Sequence, residues 1–145
     1  MIQRIQSLWL FLAALVNSGL FLFDIYRGHV MTNGVDTIVS MRINDKFHLV
    51  VMALVIVVLP LVAIFLFKDR KRQRMLTVLS IIFSLSFLST MLLRTSKFSE
   101  VYPAATNGSY WIGSVLPVIA VVFLFLAIRG IAKDEKLVRS QDRLR

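Results

Sequence analysis

The chain has 145 residues, is 57% hydrophobic, and carries 17 Lys and Arg against 8 Asp and Glu, a formal charge of +9. Without cysteine it has no disulfide, no thiolate nucleophile and no Cys-based zinc or iron–sulfur site. A soluble protein this basic would point to nucleic acid, but charge-free stretches take up roughly half of the chain. They leave no room for a separate soluble domain of ordinary size, so residues 1–145 read as one membrane domain.

The first of these stretches is Ile5–Phe23, followed by Phe47–Phe67, Met75–Leu93 and Trp111–Ile128. Their 19, 21, 19 and 18 residues, at about 1.5 Å per helical residue, each match the roughly 30 Å of a bilayer's hydrocarbon core. Helices are expected there, because hydrocarbon offers no partner to an open backbone amide. Arg4 ahead of the first stretch also fits a cleavable signal peptide, with Asn17-Ser18-Gly19 as its small residues. The apolar run continues through Leu20-Phe21-Leu22-Phe23, past any plausible cleavage point, which favours an uncleaved span.

Four spans put Met1–Arg4, Lys68–Arg74 and Arg129–Arg145 on one side of the membrane, with twelve Lys and Arg. The loops Asp24–Lys46 and Arg94–Tyr110 on the other side hold five. Acidic residues divide four and four, so the positive-inside rule places both termini in the cytoplasm. In the first external loop, Asn33-Gly34 between β-branched runs signals a short hairpin, against a plain solvated loop. The second contains Asn107-Gly108-Ser109 before Tyr110-Trp111, a turn followed by an interfacial aromatic anchor, with Trp9 expected to anchor the opposite face.

The Lys68–Arg74 segment is short enough to make the second and third spans antiparallel neighbours. Its cations are an orientation signal at the anionic inner leaflet, or a docking patch for an acidic partner or RNA. Within the spans the polar residues are mild. Ser80 and Ser84 form a small-xxx-small pair, and Ser86, Ser89 and Thr90 form a further edge, together expected to be a helix-packing seam. Asn17, the one amide inside a span, is expected to bond to that seam or to a neighbouring subunit. Pro60 and Pro117 are expected to kink the second and fourth spans.

No charged residue lies deep in a span, where pumps, proton-coupled transporters and voltage sensors place theirs. His48, one residue into the second span and beside Lys46, reads as interfacial. His29 has no second metal ligand nearby, and the serines have no His or Lys at depth to activate them. No catalytic, cofactor-binding or metal-ligating residues are assigned, and no cofactor is expected.

Leu137, Val138, Gln141 and Leu144 give the tail 129–145 a narrow apolar stripe, and Glu135 with Arg139 and Arg139 with Asp142 are helical ion-pair spacings. So thin a stripe is marginal alone, so the tail is a frayed extension or a helix lying on the membrane surface, the neighbourhood of the Lys68–Arg74 loop or a partner protein. The start, Met1-Ile2-Gln3-Arg4-Ile5-Gln6-Ser7-Leu8-Trp9-Leu10-Phe11-Leu12-Ala13-Ala14, and the end, 133–145 (KDEKLVRSQDRLR), resemble the domain of unknown function 4293 family of Bacteroidota. The four-span layout and the chain length also look like that family, while the first external loop offers nothing to match. The resemblance implies a small inner-membrane protein of a diderm bacterium, and it supplies neither an activity nor functional residues.

The expected fold is therefore an all-α membrane protein, a four transmembrane helix bundle with a short β-hairpin in the first external loop and a helical cytoplasmic tail. Its expected role is a non-enzymatic accessory or scaffolding subunit of an inner-membrane complex, with other membrane or cytoplasmic proteins as partners. The residues expected to bind the partner are Arg70, Lys71, Arg72, Leu137, Val138, Arg139, Arg143, Leu144 and Arg145, and those expected in helix packing are Asn17, Ser80, Ser84 and Ser89. The alternative is a small oligomeric transporter or lipid-binding protein, with Asn17 and the Ser80–Thr90 face lining a path. An integral-membrane enzyme ranks last, with only Asp45, Lys46 and His48 as material.

Overall fold

The computed structural model describes the backbone of residues 2–32, 35–101 and 105–142, and the side chains of residues 5–31, 35–98, 100 and 108–136. In chain order the elements are α1 (Ile2–Ser18), which runs into a 3-10 turn at Gly19–Phe21, strands β1 (Tyr26–Thr32) and β2 (Val35–Met41), and a 3-10 turn at Ile43–Asp45. They continue with α2 (Phe47–Phe65), α3 (Arg70–Ser96), the single turn α4 (Phe98–Val101), β3 (Ala105–Tyr110) and α5 (Ile112–Asp142). Each of α1, α2, α3 and α5 packs against two of the others, α1 on α2 and α5, and α3 on α2 and α5. The α2, α3 and α5 helices are long and apolar enough to cross a membrane, and Ile5–Phe21 is a shorter apolar helix.

The interior is built from small residues. Ala13, Ala14, Ala53, Ala63, Ala120 and Ala127 are buried, together with Thr77, Ser80 and Ser84, and short side chains let the helix backbones approach. Phe11, Leu15, Leu54, Val58, Ile82, Val122 and Phe125 point outward and are exposed. An apolar outer surface of that extent matches a hydrocarbon environment. Two clusters fill the inside. Leu20, Ile25, Ile43, Leu49, Ala53, Ile56 and Phe87 pack at the sheet end, and Leu10, Ile81 and Leu124 with Ala13, Ala63, Ala120 and Ala127 at the end that carries the termini.

The strands form one antiparallel sheet in the order β2-β1-β3. The register pairs Thr32 with Val35, so β1 and β2 are the hairpin expected from Asn33-Gly34, two residues that lie outside the described ones. The third strand was not expected. It comes from the second loop, and its pairing with β1 slips between Arg27 and His29. One further boundary differs from the sequence reading, and another, the continuation of the last helix into the tail, agrees with it. Helix α3 begins at Arg70, with Asp69 accepting from the Arg72 amide at 3.2 Å as its N-cap, so most of the basic segment is the first turn of a helix rather than a loop. Helix α5 continues without a break from Ile112 to Asp142.

Candidate functional site

The two ends of the bundle carry the polar chemistry, and they are organised differently. At the sheet end the first charged residue after α1 is Asp24, whose side chain is only 3% exposed. Its Oδ2 accepts from Arg27 Nε at 2.7 Å and pairs with Nη2 of the same guanidinium at 2.6 Å, and its Oδ1 accepts from Arg42 Nε. Burial alone would raise this carboxyl, but the bonds from Arg42 and Arg27 outweigh it and hold Asp24 below the usual carboxylate range. Arg27 also lies over the Trp111 ring, 4.1 Å from its centroid.

Backbone bonds tie the same knot together. Ile25 donates to Met41 O and Trp111 donates to Ile25 O, both at 2.9 Å, while Gly113 donates to Asp24 O at 3.0 Å. A Cβ on Gly113 would sit 2.5 Å from that Asp24 oxygen, which is why glycine opens α5 here. Tyr26 meets Phe98 and Tyr110 edge-on at 4.9 and 5.3 Å, and the Tyr110 hydroxyl lies 3.2 Å from Thr95 Oγ1. The sequence reading counted Asp24, Arg27 and Arg42 only as loop charges. Asp24 and Arg42 lie 18 positions apart, and a fixed-spacing pattern does not reveal such a pair.

At the terminus end the expected partner-binding residues divide. Arg70 Nε lies 3.4 Å from Asp134 Oδ2, an ion pair without hydrogen-bond geometry, so Arg70 is partly consumed within the chain. Arg74 pairs with Glu135 at 3.6 Å. Arg72 pairs with Asp69 at 3.0 Å but remains exposed, and Lys71 is exposed with no ion pair among the described residues. Lys133 and Lys136 are also exposed. Leu137, Val138 and Arg139 belong to the α5 backbone, but their side chains lie outside the described ones, as do Arg143, Leu144 and Arg145 entirely. Gln6 Nε2 donates to Gly130 O at 2.9 Å and fastens α1 to the root of the tail helix.

The polar residues inside the bundle do not form one seam. Ser80 and Ser84 are fully buried, yet their hydroxyls donate to Leu76 O and Ser80 O of their own helix, both at 2.8 Å. Ser89 is exposed and bonds back to Leu85 O at 3.0 Å, so the expected Ser89 contact is corrected: the helical turn carries it around to the outer surface. Asn17 is buried, and its amide nitrogen turns to α2 rather than to the serine face. Its Nδ2 donates to Ile56 O at 3.3 Å. That carbonyl is the one which Pro60, four residues on, leaves without a helical donor. Asn17 therefore closes the gap that the proline opens. Its Oδ1 accepts no hydrogen bond among the described residues.

Trp9 is half-buried and stacks on Phe123 at 5.7 Å instead of standing free as an anchor. Among the described residues no three His, Asp or Glu gather as a metal site would require. A mostly helical chain with three such apolar helices, a shorter apolar helix and a small sheet falls in the class of small helical proteins built to a membrane's dimensions. Within that class the chain belongs to the family described as domain of unknown function (DUF4293), whose model matches residues 2–144. No curated protein matches it.

Proposed function

We propose that this is a four-span inner-membrane protein with both termini in the cytoplasm, working as a non-enzymatic accessory or scaffolding subunit that holds a cytoplasmic partner on its terminus end. The observation that carries this reading is α5. Its 31 residues extend about 46 Å at about 1.5 Å each, well beyond a hydrocarbon core of roughly 30 Å. The overhang is braced at its root by Arg70–Asp134, Arg74–Glu135 and Gln6–Gly130. A projecting helix held at a fixed angle presents a surface, and the exposed Lys71, Arg72, Lys133 and Lys136 give that surface its charge. An acidic protein face fits it; RNA phosphates offer the same charge.

The experiment is co-purification in mild detergent, with the full chain compared with a shorter one stopped after Lys136 in which Lys71, Arg72, Lys133 and Lys136 are also changed to Gln, so that the braced root is kept and the presented surface is lost. A partner present with the full chain and lost with the shorter one supports the reading. An identical set of proteins from both chains, or none from either, overturns it.

The second reading, a small oligomeric transporter or lipid-binding protein, draws on Asn17, whose buried Oδ1 is a polar atom without a partner among the described residues. Solute flux in reconstituted vesicles that disappears in Asn17→Leu would favour the transporter.

A further inference from the structure

Where α2 begins and α3 ends, the sheet end opens into a cleft of about 260 Å³. Arg42, Lys46, Arg94 and Lys97 line it with one carboxylate, Asp45, so four cations face one anion. Asp45 accepts from the Arg42 backbone amide at 2.7 Å. Arg42 is engaged by Asp24, and Arg94 Nη2 lies 3.2 Å from His48 Nε2. Lys46 and Lys97 are exposed and make no ion pair among the described residues. Beneath the charges the lining is apolar, with Met41 partly buried and Leu49 and Phe98 buried.

The height of the cleft matters as much as its charge. Lys46 immediately precedes the apolar helix α2 and Lys97 immediately follows α3, so the cleft stands at the edge of the hydrocarbon-length part of the bundle. A small soluble anion would need only the cations. A cationic rim over an apolar floor at this level matches a molecule that is charged at one end and hydrocarbon at the other. The volume falls below the roughly 300–1,000 Å³ of sites that enclose a whole small molecule, which suits a headgroup whose chains remain in the bilayer.

We propose that this cleft binds a phosphate ester, the headgroup of an anionic phospholipid in the leaflet at the sheet end. Lys46 and Lys97 contact the phosphate oxygens, Arg42 and Arg94 add to the positive field, and Leu49 and Phe98 lie against the first carbons below the phosphate. The proposal deepens the lipid-binding reading by giving it a place and a headgroup class, and it is independent of the partner-docking one.

The full chain is purified and phospholipid retention is measured by native mass spectrometry, with phosphatidylglycerol against phosphatidylcholine and with glycerol phosphate as the soluble source of the same chemistry. The expected result is selective retention of phosphatidylglycerol, weakened about 30-fold in Lys46→Gln with Lys97→Gln, as two membrane-surface cations would be worth. Lys71→Gln with Arg72→Gln, at the opposite end, leaves retention within about twofold of the unchanged chain. Both altered pairs are exposed, and an unchanged helical circular-dichroism spectrum confirms that the fold is intact. Glycerol phosphate that binds with the same dependence on Lys46 and Lys97 keeps the phosphate site and assigns it to a soluble ligand. Selective retention unaffected by the Lys46 and Lys97 change overturns the cleft while leaving lipid binding elsewhere. Equal retention of both lipids, with no glycerol phosphate bound, overturns the cleft, and retention of neither lipid overturns the lipid-binding reading with it.

Discussion

The sheet end and the terminus end both use arginine against acid, yet one is a buried knot and the other an exposed brace. At the sheet end two guanidiniums converge on Asp24, 3% exposed, and three backbone bonds from distant segments close over it. At the terminus end the two ion pairs to α5 span 3.4 and 3.6 Å, and although Asp134 is buried, the Arg74 side chain is about half exposed. The difference teaches where the chain is held and where it is presented. Buried, hydrogen-bonded charges are costly to disturb, and loosely paired surface charges are not. The end that is held carries the sheet, and the end that projects carries the long helix.

The sharpest way to break this comparison is Asp24→Ala. It strands two cations, and because Arg42 is largely exposed the loss should be about 2–3 kcal/mol, below the 3–5 kcal/mol of a fully buried pair. Thermal unfolding in detergent would measure it, and hydrogen exchange should place the loosening in β1 and β3. Unchanged melting would mean that Asp24 does not hold the sheet. Acid tests the same knot. Because the Asp24 carboxyl lies lower in the folded chain than its unfolded value of about 3.9, its contribution is present above that pH and is lost as pH falls through the folded value. Exchange protection of the sheet should therefore hold through mildly acidic pH and drop only below about 3.9. Loss already near neutrality would contradict the assignment.

A smaller effect is expected midway between the ends. Asn17→Leu should destabilise by about 1 kcal/mol, the scale of a hydrogen bond between membrane helices. In a Pro60→Ala background the backbone amide at position 60 can serve Ile56 O, so the same substitution should cost less. Equal costs in the two backgrounds would separate the asparagine from the proline. Smallest of all, Arg74→Gln should change the melting free energy by less than about 1 kcal/mol, as for other solvent-screened pairs, because its side chain is 51% exposed. A larger loss would make the terminus end a second knot.

Those contrasts mark how far the sequence could be read. The apolar stretches placed the start of each long helix to within about five residues, because a long run without charge has helical length, whereas the charged continuation of α5 to Asp142 lies outside any such run. The hairpin was legible from Asn33-Gly34 and the β-branched runs on either side. Strand β3 was hidden because the Asn107-Gly108-Ser109 signal reads as a turn. Only the edge of β1, supplied by a segment some 80 positions away, makes the stretch a strand. Pro60 and Asn17 were each visible, one as a kink and the other as a lone amide. Their union was not, since nothing local tells which carbonyl an amide on another helix will meet. The Lys68–Arg74 cations read as an orientation signal or a docking patch; that Arg70 and Arg74 pair with Asp134 and Glu135 was not legible locally, because those acids arrive from α5.

The β1–β3 pairing also sets an order on the life of the chain. His29 pairs with Thr106, and at about 5–20 residues per second the ribosome delivers the second of these some 4–15 s after the first. In that interval α2 and α3 are made, while one edge of β1 stands open. The sheet is therefore a latch that can close only after α2 and α3 have been made. A chain halted before residue 105 would retain its hairpin and lack the latch, an incomplete product that a protease or chaperone can tell from a finished one.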